Sequence, residues 1–344
     1  MKIDFQTLYL KKRFPLRISR GEITGGENLF LSVTDGDLTG WGEMAPGATE
    51  GAADVATGQA QLEAFIAQGL PDAIHDIWAA GHAAGVGACA LAALDMALWD
   101  LRAKQAGMPL YRLLGLARRG VVSSLTVGIN PPDVVRDRVP LLLAQGARAL
   151  KVKLGSTDGI EADKAMFAAV LEAAQGSGAA LRVDANGGWS LRDARHMMGW
   201  LAERGAEYIE QPLVRGAEDQ LPELFRDRAL PIFVDESCRM SGDVPGFAQC
   251  VDGVNLKLMK CGGITEALRI VATARAYGLQ TMIGCMGESS ISIAAGASLS
   301  ALFDYIDLDS HLNLDPDPAS GAPFIDGITL PADRPGHGGV FDHA

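Results

Sequence analysis

Two lysines stand two residues apart in Leu150-Lys151-Val152-Lys153-Leu154-Gly155. The apolar flanks and the closing glycine predict a short buried strand, in which alternate side chains share a face. Lys151 and Lys153 then point the same way, and each ammonium raises the cost of the other's charge. Burying two such groups is expensive unless they are used. At least one is expected to have a lowered pKa, which suits a general base near neutral pH. Solvated lysines on an edge strand would give the same spacing, but the flanking Ala147, Leu150, Val152 and Leu154 weigh against that.

The elements that must position these lysines follow from the pattern around them. From about Val121, short apolar strands alternate with helical stretches. Strands are predicted at 121–127, 149–154, 181–184, 208–210, 232–235, 253–257, 280–283 and 305–308. Helical stretches such as Gly159–Gln175, Ser190–Arg204 and Thr265–Tyr277 separate them. Eight strands with helical crossovers predict a parallel (β/α) barrel, whose active site lies at the C-terminal ends of its strands. Before it, residues 2–12, 28–34 and 38–43 read as strands, and Gly51–Gln68 and Gly85–Gln105 as helices. That makes a strand-then-helix α+β module. The glycine-rich stretch near 17–26 is expected to be a loop, either a mobile lid or an ordinary surface loop.

Bulk properties exclude several classes. The 344 residues suffice for two domains, and 48% hydrophobic with 21% charged residues fits a globular enzyme with a large core. A formal charge of −12 argues against nucleic acid or an anionic membrane as partner. Five scattered cysteines without CxxC spacing predict reduced thiols in a cytoplasmic protein. No signal peptide or membrane-spanning run is expected.

The strand ends carry the chemistry. Asp184, Glu210 and Asp235 close three adjacent strands. Three converging carboxylates repel one another, and a hard divalent cation with oxygen ligands resolves this. Strand-end carboxylates capping the following helices are the plainer reading, but three on consecutive strands are unusual for that role. Lys153 and Lys257, on the second and sixth strands, would face each other across the barrel. One amine on each side of a metal-held carboxylate predicts proton transfer at the adjacent carbon, giving racemisation or epimerisation.

These motifs resemble the enolase superfamily, muconate lactonising enzyme subgroup. The resemblance rests on Lys151-Val152-Lys153, Asp184-Ala185-Asn186, Ile209-Glu210-Gln211-Pro212, Asp235-Glu236-Ser237, Asn255-Leu256-Lys257 and Lys260-Cys261-Gly262-Gly263. It extends to the helix around Ala93–Asp100, so it covers nearly the whole chain. It implies a modified (β/α)7β barrel at 116–315 and a capping domain at 1–115, with the lid near 17–26. The segment 316–344 would return to the cap. It also implies one Mg²⁺ per subunit (Mn²⁺ being possible) on Asp184, Glu210 and Asp235. Lys153 and Lys257 become the acid/base pair, with Lys151 as the group that stabilises the enolate. Asn186 and Gln211 would orient the ligands. A histidine base near the seventh strand, as in the mandelate racemase branch, is missing, which favours the two-lysine subgroup.

Within that subgroup, Asp307-Leu308-Asp309 resembles the Asp-x-Asp of L-Ala-D/L-Glu-type dipeptide epimerases. Two carboxylates on one face would hold the free ammonium of a dipeptide. Arg20, or Arg17, would meet the substrate's side-chain carboxylate. The expectation is a homo-oligomeric, Mg²⁺-dependent epimerase that inverts the α-carbon of a dipeptide's C-terminal residue. The alternatives are an N-acylamino acid racemase, an o-succinylbenzoate synthase, a muconate-type cycloisomerase, and a non-catalytic enolase-like binding protein.

Overall fold

Alternating burial along the first 44 residues produces three antiparallel strands, β1 (Lys2–Ile18), β2 (Gly21–Asp35) and β3 (Leu38–Met44), paired in that order. This is the computed structural model of the chain, and it describes residues 1–341. The glycine-rich stretch expected as a loop is largely strand: Leu16 pairs with Ile23, Arg17 with Glu22 and Ile18 with Gly21. Cross-strand pairing overrides the poor strand propensity of its glycines. Only Ser19 and Arg20 remain as the turn, so the predicted lid is the tip of a long hairpin. The register of β1 on β2 slips between Lys11 and Leu16.

Helices α1 (Val55–Ile66), α2 (Ile74–Ala83) and α3 (Ala88–Gln105) follow. Asp54 caps α1 by accepting from the Thr57 amide at 2.7 Å. The sequence reading missed α2, whose apolar positions Ile77 and Trp78 pack inward. Helix α3 is apolar on nearly every side because it lies between two layers. On one side β3 meets it through glycines: a Cβ on Gly42 would sit 1.9 Å from the Ala93 carbonyl oxygen, and one on Gly40 2.1 Å from that of Ala97. On the other side Asp95 accepts from the amide and hydroxyl of Thr265, at 3.0 and 2.5 Å, in the barrel. Trp99 also donates to Thr265 Oγ1. One helix therefore fixes the strand layer to the barrel.

The barrel strands are β4 (Leu125–Val127), β5 (Ala149–Lys153), β6 (Ala180–Asp184), β7 (Ala206–Glu210), β8 (Ile232–Val234), β9 (Gly253–Lys257), β10 (Gln280–Gly284) and β11 (Tyr305–Asp307). They are parallel and neighbour one another in chain order. Helices between and after them include α4 (Pro132–Ala144), α5 (Ile160–Ala173), α6 (Leu191–Ala202), α7 (Leu221–Arg226), α8 (Ile264–Ala276) and α9 (Ser290–Ala297). The single strand expected over 121–127 is broken at Ser123-Ser124. Val121–Val122 pairs with Ile328–Thr329, while the Ser124 amide donates to the Ile306 carbonyl at 3.0 Å and brings the two ends of the sheet together. Past the barrel, Phe341 packs edge-on against Phe30 and Trp41 of the first sheet. Among the described residues no helix is long and apolar enough to cross a membrane.

Two outcomes follow from the α3 contacts. Gly42→Ala should cost about 1–3 kcal/mol in denaturant unfolding, because the new methyl has no space. Burial pushes the Asp95 carboxyl up to about 7 against the hydrogen bonds from Thr265. Its folded pKa thus exceeds its unfolded value, so its contribution is complete below the unfolded pKa and is lost as pH rises through 7. Relative to wild type, Asp95→Asn should therefore remove about 2–3 kcal/mol of stability loss between pH 5 and 8, measured by unfolding at both values.

Candidate active site

The register of the barrel assembles the site. Lys153 pairs with Asp184 across β5 and β6, and Asp184 with Glu210 across β6 and β7. Parallel strands in matched register present their last residues at one level. Asp184, Glu210 and Asp235 are fully buried there, with one oxygen from each lying within 4.8 Å of the others.

Four lysines surround them. Lys153 donates to Asp184 Oδ2 at 2.6 Å, and Lys257 lies 2.7 Å from Asp235 Oδ2. Lys151 reaches Asp307 at 2.5 Å, Glu210 at 2.8 Å and Asp184 at 3.2 Å. Lys260 holds Asp235 Oδ1 at 2.5 Å and also donates to the Cys238 and Asn255 carbonyls. Burial alone would lower an amine's pKa. Around Lys151 the charges of Asp307, Glu210 and Asp184 outweigh burial and drive its pKa well up. The expectation of a lowered value therefore fails at Lys151, because the motif alone did not reveal how many acids face it. Lys257 is likewise raised, with Asp235 overcoming burial.

The carboxylates respond in kind. Burial opposes ionisation of Asp184, but Lys153 and Lys151 hold it below the usual range. Asp235 is held low against burial by Lys257 and Lys260. Glu210 goes the other way, to about 8, through burial and then the neighbouring Asp184 charge. Glu210 Oε2 and Asp235 Oδ2 are buried and accept no aligned hydrogen bond, although a lysine stands at ion-pair distance from each. Three converging hard oxygen donors, with two buried carboxylate oxygens that accept no aligned hydrogen bond, fit a small divalent cation.

The flanking residues hold this set in place. Asn186 has φ 44° and Gln211 φ 38°, left-handed values that turn the chain sharply after Asp184 and Glu210. The Asn186 amide donates to Asp184 Oδ1 at 2.8 Å, and Gln211 Oε1 accepts from the Asp235 amide at 2.9 Å. Asn255 donates to Glu210 Oε1 at 2.8 Å. The sequence reading did not single it out, yet alternation from Lys257 already places it on the same face. Gly284 gives Lys257 room: a Cβ there would lie 3.2 Å from Lys257 Cε.

Lys153 and Lys257 line one cavity of about 330 Å³ under the β1–β2 hairpin. Asp307 and Asp309 line an adjoining smaller one that Lys153 also borders. Asp307 Oδ2 is held by Lys151, whereas its buried Oδ1 has no hydrogen-bond partner. Asp309 lies beyond the end of β11, accepts from the Thr126 amide at 2.6 Å, and is pushed up to about 6 by burial and by Asp307. Arg20 lines the larger cavity and also makes contacts of its own. Its guanidinium is 2.7 Å from Glu236 and donates to the Asn186 carbonyl, so it ties the hairpin tip to the barrel. Arg17 is half-buried and lies 3.9 Å from Asp158. Lys12, on β1, is buried at the junction of the two cavities and was not predicted there.

Comparison with known proteins agrees with this geometry. The family model for the N-terminal domain of mandelate racemase / muconate lactonizing enzyme matches residues 3–115, and the enolase C-terminal domain-like model matches 134–344. A hydrophobic dipeptide epimerase of Roseobacter litoralis is 79% identical over 344 residues, covering all of both chains. The structure of a dipeptide epimerase from Methylococcus capsulatus, with Mg and L-Arg-D-Lys, is 32% identical with a TM-score of 0.90 and covers 99% of each chain. That of Enterococcus faecalis V583, with Mg and L-Leu-L-Tyr, is 30% identical with a TM-score of 0.90 and covers 98% of each. With both halves matched and a relative aligned end to end, the chain belongs to the mandelate racemase / muconate lactonizing enzyme family of the enolase superfamily.

Proposed function

We propose that the chain is a Mg²⁺-dependent dipeptide epimerase that inverts the α-carbon of the C-terminal residue, with a preference for apolar side chains. The observation that carries this reading is the pair Lys153 and Lys257. They come from strands four positions apart in the barrel and border one cavity above the three carboxylates. The structures of relatives described above hold Mg and a dipeptide.

Bound to Asp184, Glu210 and Asp235, Mg²⁺ would act as a Lewis acid on the substrate's carboxylate and favour loss of the α-proton. The remaining work falls to side chains. Lys153 takes or returns the proton on one face and Lys257 does so on the other, so a proton removed by one and replaced by the other inverts the carbon. Lys151, kept charged by its three acids, faces the developing negative charge. Asp235 raises Lys257 in this structure. Asp235 would weaken that hold on Lys257 when it shares its charge with a bound cation, which would favour the amine as a base.

The unbonded Asp307 Oδ1, with Asp309 beside it, would receive the substrate's ammonium. That distinguishes a free dipeptide from an N-acylated amino acid. The cavity under the hairpin is lined by Leu10, Leu16, Ile18, Ile23 and Met286, and Arg20 is engaged by Glu236. This lining supports the apolar preference, as does the name of the Roseobacter litoralis relative. In this reading residues 1–115 form the cap and 116–315 the catalytic barrel. The five free cysteines accord with a reducing, cytoplasmic setting.

Two experiments test the reading. Incubation of L-Ala-L-Leu with Mg²⁺ in D₂O should give epimerisation with α-deuteration, and its absence across a panel of apolar dipeptides would refute it. Lys153→Ala and Lys257→Ala should each lose about 10²–10⁴-fold in epimerisation, while each still exchanges the α-proton of one stereoisomer, and of opposite ones. Separately, Mg²⁺ at a hundred times Kd should stabilise the wild type by about 2.7 kcal/mol, read as a rise in melting temperature. Glu210→Gln should abolish that shift.

A further inference from the structure

The structure points to Lys12 as a substrate-binding residue: we propose that its ammonium donates to the peptide carbonyl oxygen of the bound dipeptide. The inference rests on the dipeptide reading and adds to it the group that recognises the amide itself.

Lys12 comes from the hairpin, not the barrel. It lies at the register slip of β1 and points inward like Leu10 two residues earlier, bridging to Leu314 on its open side. Irregular pairing of this kind re-aims a side chain. Lys12 is 7% exposed. Among the described residues its ammonium has no hydrogen bond and no carboxylate oxygen within 4.0 Å. Its side chain lines both cavities, so the ammonium is free to meet an anion or a strong acceptor bound there.

The nearest acids are engaged elsewhere. Glu288 accepts from the Met286 amide at 2.7 Å and the Ser292 hydroxyl at 2.5 Å. Asp309 accepts from the Thr126 amide. Both still act on Lys12 through their fields, offsetting part of the burial that lowers its pKa.

Its position selects the partner. Lys12, Leu16, Lys153, Cys285 and Met286 are shared by both cavities. One cavity holds the two reacting lysines and the other holds the Asp307–Asp309 pair. A dipeptide whose α-carbon lies between the lysines and whose ammonium lies at the acids must pass its peptide group through that junction. The peptide N–H is a donor and cannot pair with an ammonium, whereas the carbonyl oxygen can. A charge-assisted bond of this type is stronger than a neutral one.

The test is a cycle on binding. L-Ala-L-Leu and its thioamide analogue, whose sulfur is a weak acceptor, are titrated with Mg²⁺ into Lys257→Ala with and without Lys12→Met. Lys12→Met is expected to weaken L-Ala-L-Leu about 10- to 100-fold, and to change the thioamide by less than about threefold. Weakening of both ligands by one factor, or of neither, overturns the assignment. If Lys12→Met does not fold, Lys12→Gln is read by the same criteria. Wild-type enzyme that neither binds nor epimerises dipeptides refutes the epimerase reading and this inference with it. Wild type that epimerises normally without the coupling refutes the Lys12 assignment alone.

Discussion

The site exists because like charges have been forced together and then balanced. Asp184, Glu210, Asp235 and Asp307 are all buried, and Lys151, Lys153, Lys257 and Lys260 are buried among them. Removing either set would leave the other uncompensated in a medium that screens poorly. Such a cluster does not stabilise the fold well, since desolvation offsets most of the attraction. What it does supply is a field fixed in advance. Each acid faces an amine, and a dication bound among the acids would add the positive charge that favours a carboxylate substrate.

Everything else in the barrel serves that geometry. Matched strand register brings the acids to one height. The left-handed turns at Asn186 and Gln211 let the chain leave at once, with the Asn186 amide donating back to Asp184 and the Gln211 side chain accepting from the Asp235 amide. The cap closes the remaining side. Through α3 it is tied to the barrel by a carboxylate, a threonine and two glycines, so its strands have little freedom to shift as a layer.

Much of this was legible in the sequence because strand periodicity is exact. A period of two places Lys151 with Lys153, and strand ends identify Asp184, Glu210 and Asp235 without any tertiary information. What failed did so for physical reasons. The pKa of Lys151 depends on acids from three other strands, including Asp307 more than 150 positions away. The glycine-rich stretch near Gly21 lacks strand propensity and becomes strand through pairing with β1. Helix α2 is short and opens at Ala73 without a side-chain cap, so no start signal marks it. Lys12 could not be distinguished from its exposed neighbour Lys11, since only the fold of the cap shows which of two adjacent lysines turns inward.

The β1–β2 hairpin has a mechanical consequence. Its root is clamped, with Leu29 and Leu31 wholly inside, whereas its tip at Gly21 and Glu22 is open to solvent. The tip is also held, since Ser19 and Arg20 donate to the Asn186 carbonyl and the Ile129 amide donates to that of Arg17, so the hairpin is a beam supported at both ends with the cavity of Lys153 and Lys257 beneath its span. Lifting the tip from the barrel means giving up the Arg20–Glu236 pair together with the hydrogen bonds of Ser19, Arg20 and Arg17, a set of surface contacts that leaves the buried acids and lysines of the strand ends untouched. Substitutions along that span reshape the roof of the cavity, while Lys153 and Lys257 stay fixed on strands of the barrel.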